Sequence, residues 1–310
     1  MSTLLLDWNE TPPADYRGGA LTIGNFDGVH RGHAALAAEV RRQAALVGGP
    51  ALALTFDPHP LQLLRPELFQ PVLTTTRDRA ALLQTCGADH VLILRTSRDM
   101  LQLTATEFFQ QVIRERVGAR AMVEGMNFGF GRNREGNVET LAGFCRQAGM
   151  AFVQVPPIEV GDKPVSSSRV RNALLGGAVR EAAELMARPY RLRGTVGSGQ
   201  RRGRTLGFPT ANLERLETLC PGNGVYAVRV RLNKQCWPGA ANIGPNPTFG
   251  EQARKVEVHL IGFNGELVGQ TLAMDFVERL RDTRPFANVS ELVEQLRRDV
   301  EQALQCVEKG

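Results

Sequence analysis

Residues Gly24 to His33 read GNFDGVHRGH, with three glycines and two histidines three positions apart, directly after the apolar run Ala20-Leu21-Thr22-Ile23. That spacing is open to three readings: a metal site, a phosphate cradle, or a strand-to-helix turn that contains histidine incidentally. A metal needs further ligands, and the other histidines, His59, His90 and His259, stand without neighbouring cysteines or paired carboxylates. A strand ending at Ile23, a glycine-rich turn and a helix beginning near His33 would instead gather backbone N–H groups and the positive end of a helix dipole, which suits phosphate. Gly24 and Gly28 would admit the ligand close to the backbone, and Gly32 would let the turn place both imidazoles on the ligand side. There the imidazoles would donate to phosphate oxygens and oppose charge on a departing group.

Four other stretches carry chemistry. Val165-Ser166-Ser167-Ser168-Arg169-Val170-Arg171 opens a helix with hydroxyls at its N-cap and guanidinium groups near its start, a second phosphate clamp or a serine-capped helix. TFDPHP (Thr55 to Pro60) and EGMNFGFGRNREG (Glu124 to Gly136) leave strands into loops rich in glycine and aromatic residues. Strand C-terminal ends are where an open α/β sheet binds ligand, and a flat ring would stack there. GSGQRRGRTLGFPTANL (Gly197 to Leu213) joins four glycines and three arginines to Pro209-Thr210-Ala211-Asn212, whose side-chain oxygens suit a hard cation. Its arginines also suit RNA.

The elements that must position these groups divide the chain in two. From Leu21 to about Met186, short apolar runs alternate with helix-period segments, as in a parallel sheet flanked by helices. Strands are expected at 51–56, 90–94, 120–123 and 151–155, and a helix over 34–47, stopped by Gly48-Gly49-Pro50. After Arg188-Pro189, strand-like runs at 190–196, 224–232, 255–261 and 267–276 alternate with Gly/Pro/Asn turns, the texture of an antiparallel barrel or sandwich. Val289, Leu292, Val293, Leu296, Val300 and Leu304 mark a closing amphipathic helix with Ser290 as its expected N-cap. The boundary is placed near residue 187, giving domains 1–187 and 188–310.

Bulk properties narrow the class. No apolar stretch of the 310 residues approaches a membrane span. The start MSTLLLDWNE lacks the basic region of a secretion signal, so a cytoplasmic location is expected. Five scattered cysteines show no C-x-x-C spacing, which argues against a disulfide framework or a thiolate zinc site. The net charge of +5 is confined to the second segment, because residues 1–187 carry 19 cationic and 19 anionic side chains and residues 188–310 carry 18 and 13. Arg188, Arg191, Arg193, Arg201, Arg202 and Arg204 fall within seventeen residues, a local anion site or a nucleic-acid surface.

H-x-G-H behind G-x-F-D-G resembles the nucleotidyltransferase superfamily, which transfers adenylyl or cytidylyl groups. G-R-x-L-G-F-P-T-A-N-L looks like the signature of flavokinases, supported by GVYAVRV (224–230), PGAANIGPNPTFG (238–250) and VEVHL (256–260). Together they make the chain, from about residue 20 to 305, similar to the bacterial bifunctional riboflavin kinase/FAD synthetase family. The second motif weighs against pantetheine-phosphate or nicotinamide-mononucleotide acceptors, while the clustering of the arginines at one Gly-rich loop, with no aromatic stacking ladder beside them, weighs against an RNA-binding module with a vestigial nucleotide fold. One departure stands out: where the family reads V-V-G-E-[DN]-F, this chain has Val123-Glu124-Gly125-Met126-Asn127-Phe128, so Met126 replaces an acid.

The resemblance implies an α/β nucleotidyltransferase domain followed by a small flavokinase-type β-barrel and a terminal helix. It implies ATP-dependent phosphorylation of riboflavin to FMN, then adenylyl transfer from a second ATP to give FAD and pyrophosphate. For the first domain it implies His30 and His33 as catalytic groups, Gly24, Phe26, Asp27, Gly32, Ser166, Ser167 and Arg169 around ATP, and Pro58, His59, Asn127 and Phe128 around the flavin. For the second it implies Glu257 as base, Thr210 and Asn212 as Mg²⁺ ligands, and Gly197, Gly199, Arg204, Gly207 and Pro209 around ATP. Expected partners are the small molecules riboflavin, FMN and ATP, with neither nucleic acid nor membrane; self-association is left open. The two sites should differ chemically. A neutral ribityl hydroxyl must lose a proton as it attacks phosphorus, whereas the phosphate of FMN is already ionised and needs charge stabilisation and alignment instead.

Overall fold

The apolar runs of the first segment are strands of one parallel sheet. The computed structural model describes residues 1–198, 206–233, 235–246 and 251–309. Its chain forms two units, one of residues 1–70 with 74–166, the other of residues 71–73 with 167 onward. The first unit holds β1 (Ser2–Leu6), β2 (Ala20–Ile23), α1 (Arg31–Val47), β3 (Ala51–Asp57), α2 (Pro60–Leu64), α3 (Thr76–Thr85) and β4 (His90–Arg95). It continues through α4 (Arg98–Gln102), α5 (Ala105–Glu107), a π-helical stretch at Phe108–Arg116, β5 (Ala121–Gly125), the two-residue strands β6 (Gly129–Phe130) and β7 (Gly136–Asn137), α6 (Val138–Gln147) and β8 (Ala151–Val155).

Six strands pair in the order β1-β4-β3-β2-β5-β8, all parallel. Both faces are covered, which is why β2 and β3 read as continuous apolar runs. Ala20, Ala51, Ala121 and Val123 pack on Val40 and Ala44 of α1. Leu21, Ile23, Leu52, Leu54 and Met122 share the opposite layer with Phe109, Ile113, Leu141 and Cys145. The order turns at β2: the next strand in sequence, β3, lies on one side of it and β5 on the other. The β2–β5 ladder covers only Ala20↔Ala121 and Leu21↔Met122, so the two strands part at their C-terminal ends. A crevice at that point is where such sheets bind ligands.

The second unit begins with α7 (Ser167–Leu175) and α8 (Val179–Met186). β9 (Tyr190–Gly197), β10 (Ala211–Glu214), β11 (Gly224–Leu232), β12 (Gln235–Asn246), β13 (Glu251–Leu260) and β14 (Thr271–Arg281) then close into a barrel, and α9 (Val289–Lys309) ends the chain. The barrel order is β10-β13-β12-β11-β14-β9, with every pairing antiparallel. Alternation sends Leu192, Val228, Ile243, Val258 and Met274 inward, each fully buried. α9 packs on β11, β12 and β14. Arg281 of β14 meets the buried Asp299 of α9 at 2.7 Å, and Gln295 Nε2 donates to the same carboxylate at 2.9 Å. Removing either member of such a pair costs about 3–5 kcal/mol, because it strands a buried charge.

Several expectations shift. α1 starts at Arg31, three residues ahead of the expected Ala34, which puts His33 in its first turn. Asn288, not Ser290, caps α9: its Oδ1 accepts the Glu291 N–H at 2.9 Å, and Ser290 lies inside the helix. The last barrel strand begins at Thr271, because Leu267–Gln270 makes a turn around Gly269 at φ +81°. As compact units the chain divides between Ser166 and Ser167, with α7 and α8 in the second, which leaves the division of activities near residue 187 as a separate question.

Candidate active sites

The turn between β2 and α1 is shaped by three constraints. Gly24 donates its N–H to the Leu54 carbonyl of β3 at 3.0 Å, and a Cβ at Gly24 would come within 3.2 Å of the Phe26 ring. Phe26 and Val29 hold φ of +46° and +37°, and Gly28 between them holds +84°. Left-handed backbone at a β-branched residue is strained and persists only where its surroundings fix it. The fixing groups are Thr74, whose hydroxyl accepts the Gly28 N–H at 3.1 Å, and Asp27, whose carboxylate accepts the Thr74 N–H at 3.1 Å.

His30 occupies the N-cap position of α1, and its ring stacks on that of His33 with centroids 3.7 Å apart and planes 17° apart. The edge of Phe26 meets His33 at 5.2 Å. His30 is buried and His33 half-buried, so His33 is the outer member of the stack. Gly32 is required by the stack, because a Cβ there would lie 3.2 Å from the His30 ring. The carbonyl of Val165 stands 4.0 Å from the same position, which brings the start of the serine segment to the histidine turn. Ser167 opens α7 in the second unit, where Arg169 pairs with Glu181 at 3.3 Å.

The loops assigned to the flavin leave the C-terminal ends of β3 and β5. Pro58 follows a cis bond from Asp57, and its carbonyl accepts from the Thr96 hydroxyl. His59 caps α2 by accepting the Leu61 N–H at 3.1 Å. Phe128 is half-buried and stacks on Phe130 at 5.4 Å, whereas Asn127 and Met126 are exposed. The position where the family carries an acid therefore projects to solvent. A carboxylate does stand nearby, two residues earlier. Glu124 of β5 is fully buried, and its Oε1 accepts the Ile23 N–H at 2.7 Å where β2 and β5 part. Burial pushes its pKa well above the usual carboxylate range, against the lowering effect of that hydrogen bond. Burial, with the Glu124 carboxylate adding to it, pushes the Cys145 thiol up to about 12.

The second site is assembled across barrel strands. Register sets Asn212 of β10 opposite Glu257 of β13, and Glu257 opposite Asn242 of β12. Antiparallel partners project from the same face with Cβ atoms roughly 4.5–5.5 Å apart. One row therefore holds a carboxylate between two carboxamides, all three half-buried, while the neighbouring row of Ala211, Val258 and Ala241 faces the core. Asn242 went unmarked in the sequence because only strand register brings it beside Glu257; its alternation with buried Ala241 and Ile243 was the available signal. Thr210 precedes β10 directly, and the Pro209 carbonyl lies 2.8 Å from His259 Nδ1. Gly207 is at φ +82°. Gly197 ends β9 where a Cβ would overlap the Glu214 carboxylate. Gly199 and Arg204 lie outside the described residues, as do Arg201 and Arg202.

Neutral hydroxyl and carboxamide oxygens are the donors Mg²⁺ accepts alongside phosphate oxygens and water, so Thr210 and Asn212 fit that ion. Among the described residues no group of three or more His, Cys, Asp or Glu is placed to hold a metal. Of the clustered arginines that are described, Arg188 donates to the Met186 carbonyl at 3.1 Å, and Arg191 forks onto Asp275 at 2.5 and 2.7 Å. Arg231 shares that buried carboxylate at 2.9 Å.

Comparison with known proteins agrees with both halves. A riboflavin kinase family model matches residues 186–307, and an FAD synthetase model matches residues 13–169. The bifunctional riboflavin kinase/FMN adenylyltransferase of Pseudomonas fluorescens is 37% identical over 287 residues, covering 92% of each chain. That of Escherichia coli K12 is 34% identical with the same coverage, and that of Bacillus subtilis 32% identical over 292 residues, covering 92% of this chain and 91% of the relative. A crystal structure from Streptococcus pneumoniae, described as a macrolide-efflux protein, superposes with a TM-score of 0.86 at 32% identity, covering 96% of this chain and 97% of that one. Among the described residues no helix is long and apolar enough to cross a membrane, and that description stays with the neighbour. The motifs, the sheet and barrel, and the matches to both halves place this chain in the bifunctional riboflavin kinase/FMN adenylyltransferase family.

Proposed function

We propose that the two activities of this enzyme are divided by residue range, with 1–187 carrying FMN adenylyltransferase and 188–310 carrying riboflavin kinase. In the kinase site Glu257 accepts the proton of the ribityl hydroxyl as that oxygen attacks the γ-phosphorus of ATP. Thr210 and Asn212 hold Mg²⁺, which when bound neutralises charge on the ATP phosphates. Gly197, Gly199, Arg204, Gly207 and Pro209 surround the nucleotide. The observation that carries this assignment is the register that puts Glu257 opposite Asn212.

In the adenylyltransferase site the FMN phosphate attacks the α-phosphorus of a second ATP, and pyrophosphate leaves. No base is needed, because the attacking oxygen is already ionised. Gly24, Phe26, Asp27 and Gly32 frame the nucleotide, with Asp27 acting through its hold on Thr74. His30, His33, Ser166, Ser167 and Arg169 oppose the charge that develops on the departing pyrophosphate. Pro58, His59, Asn127 and Phe128 hold the flavin. The stack of His30 on His33 at the start of a 17-residue helix supports this reading. The internal pairing of Arg188 and Arg191 supports small-molecule phosphates, rather than nucleic acid, as the partners. We place the enzyme in the cytoplasm, where its nucleotide substrate is abundant.

Asn212→Ala tests the metal assignment. The Mg²⁺ concentration giving half-maximal riboflavin phosphorylation should rise by about tenfold or more, while that of FAD formation from supplied FMN stays unchanged. Equal Mg²⁺ dependence in mutant and wild type would refute Asn212 as a ligand.

A further inference from the structure

A buried cation stands behind the histidine turn, with no role in the scheme above. Arg79 of α3 is 2% exposed, yet among the described residues it faces no carboxylate at hydrogen-bond distance. Its Nη1 donates to the Thr55 hydroxyl at 3.0 Å and to the Phe56 carbonyl at 3.2 Å, both at the C-terminal end of β3. Thr55 is itself fully buried, and its Oγ1 lies 3.3 Å from the Asn25 carbonyl.

The direction of this relay is fixed by chemistry. A guanidinium only donates, so the Thr55 oxygen must accept from Arg79, and its single proton is left for Asn25. Asn25 is the residue before the strained pair Phe26 and Val29. The far end of the same turn is held by Thr74, through the Gly28 N–H at 3.1 Å. Two buried hydroxyls thus grip a turn that its own residues would not adopt, one at each end. Within the turn itself, the Val29 N–H reaches back to the Phe26 carbonyl at 3.1 Å, a bond the positive φ values make possible.

We infer that Thr55, oriented by Arg79, and Thr74 are positioning residues for adenylyl transfer, holding the Asn25–Val29 turn so that His30, His33 and the start of α1 meet the ATP phosphates in reactive geometry. The inference rests on the assignment of this turn to adenylyl transfer. Both side chains are buried, Thr55 fully and Thr74 at 7% exposure. Their effect is geometric, and misplacement of reacting groups by about 1 Å can cost on the order of a hundredfold in rate.

Thr55→Val removes the hydroxyl and keeps the shape. In the full-length enzyme, kcat for FAD formation from supplied FMN should fall about tenfold or more, with KM for FMN within about twofold of wild type. Riboflavin phosphorylation by the same chain should stay within about twofold, and Thr55→Ser should recover most of the lost rate. Thr74→Val should show the same split, so the test stands even if one variant does not accumulate as folded protein. Unchanged kcat in both valine variants, or a parallel fall of both activities without rescue by serine, overturns the inference. His33→Ala serves as the separate control: if it leaves FAD formation intact, the assignment of the turn fails, whatever Thr55 does.

Discussion

The two candidate sites are built from different materials. The first is a backbone device, in which a strained turn, two stacked imidazoles and a helix start are set by buried hydroxyls on neighbouring segments. The second is a side-chain device, in which a carboxylate and two carboxamides are lined up by barrel register on consecutive strands. Under the proposed assignment the contrast follows the acceptors. An ionised phosphate nucleophile needs geometry and positive potential, which backbone and imidazole supply; a neutral hydroxyl needs a base, which a regular sheet row can hold beside a metal ligand.

The contrast can be broken most forcefully at Glu257. Glu257→Gln should lower riboflavin phosphorylation by roughly 10²–10⁴-fold, the usual worth of a general base, measured as FMN or ADP release. An intermediate effect is expected at Gly32, where chemistry and stability should move apart. A Cβ there would press on the His30 ring at 3.2 Å. Gly32→Ala should therefore slow FAD formation by about tenfold, while the melting temperature changes little, since the crowding of the His30 ring is offset by the preference for alanine over glycine in a helix, at most about 1 kcal/mol.

The smallest effect concerns stability alone. Glu124 has its pKa raised in the folded protein by burial, so its unfolded form ionises first as pH rises. Its contribution is fully present below about pH 4.5 and is lost as pH climbs toward the raised folded value. Glu124→Gln keeps an acceptor for the Ile23 N–H without an ionisable group. Its Tm should exceed that of wild type at pH 8, by roughly 2–4 °C for each kcal/mol gained, and the difference should shrink toward pH 4. A difference independent of pH would contradict the assignment.

Local chemistry was legible in the sequence, and non-local support was not. H-x-G-H announced a helix start because its residues lie within one turn of each other, and the strand-like run at 224–232 matched β11 over its full length. Thr55, Thr74 and Arg79 escaped because the hydrogen-bond partners that link them to the turn lie 24 to 47 positions away. β1 was missed because an edge strand buries little, and its short Leu4-Leu5-Leu6 run was weighed only as a targeting signal. β12 was hidden by Pro238, Gly239, Gly244 and Pro245, which read as turns, although Pro238 pairs with Arg229 within the ladder. Within the arginine cluster, strand alternation decides where a described member points, which sequence proximity does not show. Alternation in β9 aims Arg191 at Asp275, where it is spent on an internal pair.

The division of labour between the two devices is the central claim, and a product-resolved assay on two variants tests it most directly. Given MgATP, Glu257→Gln should convert supplied FMN to FAD at nearly the wild-type rate but fail to make FMN from riboflavin. His33→Ala should convert riboflavin to FMN and stop there, with FAD formation down by roughly 10²–10³-fold. Parallel loss of both products in either variant would contradict the account.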